Sequence, residues 1–170
     1  MKRTKRVLAA ALLALAGATA LAQENYTSDD EGYALELPTQ VWKALQRPDG
    51  VHQHTEFVNG DRTEGYLKIR KEVVAPDAKL SDFARNEQDT KLRFLPGFVA
   101  SGKEERFSGR LNGIVIGYEY TSAGKQMAGR AYYLQADNRT VFVLNFTGLR
   151  DKLQRIQNQT DAIARSFRLK

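Results

Sequence analysis

Thr140-Val141-Phe142-Val143-Leu144-Asn145-Phe146-Thr147 is apolar on both of its faces. Side chains alternate along an extended chain, so Phe142, Leu144 and Phe146 share one side while Val141, Val143 and Asn145 share the other. A strand with two apolar sides cannot border water on either, which predicts a central strand covered twice. That requirement alone calls for packed layers above and below a sheet.

The residues before this stretch read as an antiparallel meander. Leu111–Thr121 places Ile114, Ile116, Tyr118 and Tyr120 at alternate positions. Ser122–Lys125 is a turn, Met127–Ala136 a strand, and Asp137-Asn138-Arg139 the next turn. Phe98–Phe107 is a weaker strand, diluted by Gly102 and two glutamates. Val51–Val58 and Tyr66–Val74 pair across Asn59-Gly60, residue types that tolerate the positive φ of a tight hairpin. Tyr33–Leu37 is a first strand ended by Pro38, with Trp42 following as a core plug.

Two helices complete the pattern. Ser81 reads as an N-cap and Asp82 as a first-turn acid. Leu80, Phe83, Ala84, Glu87, Leu92 and Leu95 form its stripe, and Pro96-Gly97 stops it. At the end of the chain Leu149, Leu153, Ile156, Thr160, Ile163 and Phe167 recur every three or four residues, one face of a helix. The expectation is an α+β fold. It is a single-domain sandwich whose mostly antiparallel sheet has about six or seven strands, with an inserted helix and a C-terminal helix packed on it.

The beginning of the chain carries a different message. Lys2, Arg3, Lys5 and Arg6 precede an Ala- and Leu-rich run, which ends in the small residues of Ala18-Thr19-Ala20 and Ala20-Leu21-Ala22. Basic, then apolar, then small is the order of a secretory signal peptide, expected over Met1–Ala22. Val7–Ala22 is short for a membrane span, which takes about 20 apolar residues. The expected product is exported, periplasmic or secreted, with no stable span after cleavage. Gln23–Gly32, polar and acidic, reads as a flexible lead-in to a domain over residues 33–170.

Removing the leader changes the charge. Of 26 basic residues four lie in it, leaving 22 against 20 acidic. Nucleic acid is therefore not an expected partner. An asymmetry persists, with 10 basic and 14 acidic residues over Gln23–Phe98 but 12 and 6 over Val99–Lys170. The chain has no cysteine, which excludes disulfides and a lipid anchor on a cleavage-site cysteine.

Two constellations could carry function. His52, His54 and Glu56 alternate on one strand face, and two imidazoles with a carboxylate are a donor set for zinc. The competing reading is a polar strand face opposite Val51 and Phe57. Tyr118, Tyr120, Tyr132 and Tyr133 fall on adjacent strands, where they serve either as a protein-binding patch or as cross-strand packing. No serine has a His and an acid in a recognised catalytic pattern, and Asn112-Gly113 is a turn or bulge without the Lys-Ser/Thr of a phosphate loop.

The chain resembles the PsbP/Mog-like group, which includes the DcrB-type periplasmic proteins of bacteria. The resemblance rests on Tyr33-Ala34-Leu35-Glu36-Leu37-Pro38 followed by Trp42, and on Pro96-Gly97-Phe98 after the first helix. Asn112-Gly113 with Tyr118-Glu119-Tyr120, then Arg130-Ala131-Tyr132-Tyr133, match its paired strands, and Ser166-Phe167 matches the end of its last helix. It spans roughly Tyr33–Leu169. It implies an α/β sandwich without enzyme activity; no cofactor is expected. The photosystem role of plant members, which use a longer mobile N-terminal segment, does not carry over to Gln23–Gly32. The Ran-binding role of the eukaryotic Mog-type members conflicts with a signal peptide.

The resulting expectation is a non-catalytic exported envelope protein that binds a protein partner or supports an assembly. The alternative is a carrier of a small ligand or divalent metal, using the sheet–helix crevice or the His52/His54/Glu56 face.

Overall fold

The computed structural model describes residues 24–49 and 52–170, and the side chains of residues 47–54 fall outside that description. The leader expected at Met1–Ala22 also lies outside the described residues. The chain runs β1 (Glu24–Ser28), β2 (Tyr33–Leu37), β3 (Trp42–Asp49), β4 (His52–Asn59), β5 (Asp61–Val73) and α1 (Leu80–Thr90). A 3-10 turn (Leu92–Phe94) leads to β6 (Val99–Ser108), β7 (Asn112–Ser122), β8 (Lys125–Gln135) and β9 (Thr140–Leu149). Helices α2 (Arg150–Arg155) and α3 (Gln157–Ser166) and a two-residue β10 (Arg168–Leu169) end it.

Seven strands form one antiparallel sheet in the order β3-β4-β5-β9-β8-β7-β6. The doubly apolar strand β9 is the fourth of the seven, as its two apolar faces require. Phe142, Leu144 and Phe146 enter a core with Trp42, Phe57, Ile163 and Phe167, beneath α2, α3 and a small sheet ordered β1-β2-β10. Val141 and Val143 enter a second core with Ile114, Ile116, Tyr133 and Ala84, beneath α1.

Several elements differ from their sequence reading. Glu24–Ser28 is not a free lead-in: it pairs along its whole length with β2, and the Tyr26 hydroxyl meets Thr55 Oγ1 at 2.7 Å. Its exposed face is polar, which hides its strand character. Trp42 is fully buried as expected but opens a strand, β3, whose Arg47-Pro48-Asp49 end disguises it. Ser81 does not cap α1, since Lys79 occupies that position and the Ser81 hydroxyl donates to Glu104 at 2.6 Å. The C-terminal stripe is shared by two helices that meet at Ile156, whose Cδ1 lies 2.7 Å from where a Cβ on Gly65 would stand. β4 and β5 pair as read, with Gly60 at φ 68° between them, but Asn59 remains in β4 opposite Asp61 and the register shifts at Val58/Asn59.

Candidate functional site

Positions 52, 54 and 56 share one face of β4 by alternation, but the histidine side chains lie outside the described residues. Glu56 is described, and it is buried. Arg62 is bonded to its Oε2, and the Tyr66 hydroxyl donates to its Oε1 at 3.1 Å. A guanidinium thus neutralises the carboxylate that a metal would need. Among the described residues no group of three His, Cys, Asp or Glu is placed to hold a metal ion.

The four tyrosines do not form a contact patch, which corrects one of the two readings of them. Tyr132 points into the core beneath α2 and α3, whereas Tyr118 and Tyr133 belong to the core beneath α1. All three are buried, and only Tyr120 is half-buried. Tyr118 lies over Gly129, where a Cβ would stand 2.0 Å from its Cζ, and donates to Asn145 Oδ1 at 2.9 Å. Burial pushes the phenols of Tyr118, Tyr132 and Tyr133 far up, so all three stay protonated, and Tyr118 and Tyr132 act as hydrogen-bond donors. Successive residues of one strand face opposite layers, so no single surface can collect Tyr132 and Tyr133.

The crevice between sheet and helices is largely filled. Arg130 Nε donates to the Tyr132 hydroxyl at 2.7 Å, and Arg130 Nη2 to Asp161 Oδ1 at 3.1 Å. The Tyr132 hydroxyl also donates to Asp161 and meets Thr160 Oγ1 at 3.1 Å. Beside this knot is a cavity of about 130 Å³, lined by Gly117, Ala128, Arg130, Leu153, Gln154 and Gln157. Small-molecule sites usually measure about 300–1,000 Å³. The knot ties α3 to β8, and the adjoining space suits a few waters better than a carried ligand.

The turn after α1 presents a different surface. Leu92, Leu95 and Phe98 pack inward on the second core, while Phe94 is 78 % exposed and Val99 61 % exposed. The turn is pinned by Thr121 N–H donating to Pro96 O at 2.7 Å, and Gly97 takes φ 65° beside it. An exposed phenylalanine on an anchored turn loses little entropy when a partner covers it. Sequence reasoning treated Leu92 and Leu95 as helix stripe and passed over Phe94. The available signal was that Phe94 falls off that stripe.

A charge cluster holds α1, and therefore the turn, against β5. Arg70 donates from Nη2 to Glu87 at 2.6 Å and from Nη1 to Glu72, and Lys91 lies 2.5 Å from Glu87. Burial of Glu87 opposes its ionisation, but hydrogen bonds from Lys91 and Arg70 and their charges outweigh it and hold its carboxyl below the ordinary value. A lowered folded-state value stabilises fully above the unfolded value, about pH 4.3, and the contribution is lost as pH falls through the folded value. Glu87→Gln is expected to cost about 1–2 kcal/mol at neutral pH, since both partners are partly exposed. Urea titrations from pH 7 to pH 3 should show that gap closing below about pH 4.3; a gap constant with pH would refute the assignment.

No family model matches the chain, and no curated protein matches it significantly. Solved structures do. Cyanobacterial PsbP (CyanoP) from Synechocystis is similar at a TM-score of 0.64 and 13% identity, over 94% of this chain and 99% of that one. The Ran-binding protein Mog1p of Saccharomyces cerevisiae is similar at 0.61 and 9% identity, over 88% and 96%. LpqN of Mycobacterium tuberculosis, described as involved in cell envelope biogenesis, is similar at 0.55 and 18% identity, over 86% and 89%. Likeness at these identities is likeness of backbone, and in its backbone this chain has the PsbP/Mog-like fold.

Proposed function

We propose that the chain is a non-catalytic exported envelope domain of the DcrB-type periplasmic kind, and that it binds another protein through the turn bearing Phe94 and the adjoining Val99 at the start of β6. Export rests on the leader-like order of residues 1–22, and the domain proper on residues 33–170 with β1 added to its edge. The observation that carries the binding reading is the exposure of Phe94 at 78 % on a turn whose other apolar side chains, Leu92, Leu95 and Phe98, are partly buried against the second core. Aromatic side chains dominate interface hot spots, and an anchored one is the usual centre of such a patch. A Ran-binding protein and an envelope-biogenesis protein share this backbone, which supports a binding role on a scaffold of this kind.

The test is a pair of aspartates, Phe94→Asp with Val99→Asp. Both positions are exposed, so the melting curve should move little. Chemical cross-linking in envelope extract should recover the partner from the parent chain and at least tenfold less from the variant, the scale of a lost aromatic hot spot of about 2 kcal/mol. Equal recovery of every cross-linked species from both proteins would remove the proposal.

A further inference from the structure

Four cations ring one hollow at the end of the sheet where β9 runs into α2. Lys125 opens β8, Leu149 closes β9, and Arg150, Lys152 and Arg155 follow on α2. The hollow measures about 450 Å³, within the range of small-molecule sites. Leu149, Gln126 and Asp151 line it together with the four cations. All four cations come from the basic C-terminal half of the sequence, which the fold gathers into one place.

The local acids do not use up this charge. Lys152 Nζ donates to Glu64 Oε1 at 2.6 Å and is satisfied. Arg150 is shared loosely between Glu119 at 3.6 Å and Asp151 at 3.7 Å, both too long for a hydrogen bond. Lys125 and Arg155 have no ion pair among the described residues. Cations held around one open space repel each other, and an anion in that space removes the repulsion. A monocarboxylate would engage one guanidinium and leave the others unmatched. A phosphate group offers more oxygens and more charge, and fits two forked guanidiniums and an ammonium together.

We infer that this hollow is a binding site for a phosphate-class anion, with Lys125 and Arg155 as its free cationic contacts. The inference is independent of the partner-binding turn, because it concerns other residues and a different chemistry. The hollow is open, so the phosphate can belong to a free solute or to an anionic lipid headgroup.

The experiment uses the mature chain and two probes. Inorganic phosphate is titrated by calorimetry, and flotation is measured with vesicles of phosphatidylglycerol in phosphatidylcholine against phosphatidylcholine alone. Binding in either arm should weaken with added sodium chloride. Lys125→Gln with Arg155→Gln should weaken it at least tenfold. Lys43→Gln with Lys103→Gln, an equal charge change at exposed positions elsewhere, should leave it within twofold. Phosphate binding alone assigns a solute site, and binding to phosphatidylglycerol vesicles assigns a headgroup site. Indifference of the parent chain to both probes overturns the inference, as does an equal loss in the two double variants, which would reduce the effect to net charge.

Discussion

Phe146→Ala is expected to lower the unfolding free energy by about 3–5 kcal/mol. Phe146 is fully buried on the fourth strand of the seven. Its ring meets Trp42 edge-on at 6.0 Å and Tyr132 edge-on at 5.6 Å between centroids. Truncation therefore removes the ring's own burial and the aromatic pairing that positions Trp42. The sheet above and below cannot collapse into the gap, because β5 and β8 hold β9 on either side through long ladders. For a domain worth roughly 5–15 kcal/mol in total, that loss is a large fraction. Urea unfolding should show the midpoint falling with an unchanged slope. A loss under about 1 kcal/mol would mean that the two-layer core does not depend on this strand.

The second large effect is expected at Gly113→Ala. A Cβ there would stand 2.0 Å from the Tyr133 carbonyl oxygen and 3.1 Å from Leu134 Cα. Those atoms are backbone of the paired strand β8, so no rotamer change can relieve the contact. Strand β7 must move away from β8, opening ladder hydrogen bonds next to the buried Ile114 and Tyr133. Ordinary overpacking costs about 1–3 kcal/mol, and a clash against backbone belongs at or above the top of that range. The expected result is a loss of about 3 kcal/mol, with amide exchange quickening along β7 and β8 first. Stability equal to the parent chain would show that the two strands have room which their spacing denies. Sequence reasoning placed a turn or bulge at Asn112-Gly113. The reason for glycine is instead the close approach of a neighbouring strand.

These two positions show where sequence reading succeeds and fails. At Phe146 the alternation of Thr140–Thr147 states which side chains share a face, and that is enough to demand a central, doubly covered strand. At Gly113 nothing local says which strand will press on it. The same division runs through the candidate sites. Glu56 and the tyrosines were identified by residue type and spacing. Arg62 and Tyr66, which occupy the Glu56 carboxylate, and the opposed faces that bury three of the tyrosines, follow from strand pairing. Phe94 is conspicuous only once Leu92 and Leu95 are seen to turn inward without it.

Side-chain periodicity carries the layers of this protein: one strand apolar on both faces, helices with one apolar stripe each, and a hairpin at Asn59-Gly60. It does so because period and face are properties of consecutive residues. Strand order, the small sheet built from both ends of the domain, and the gathering of Lys125 with Arg150, Lys152 and Arg155 belong to the folded state alone. Each of these joins residues far apart in the chain, and which distant segments meet is settled by the packing of whole faces, a quantity no short stretch of residues contains.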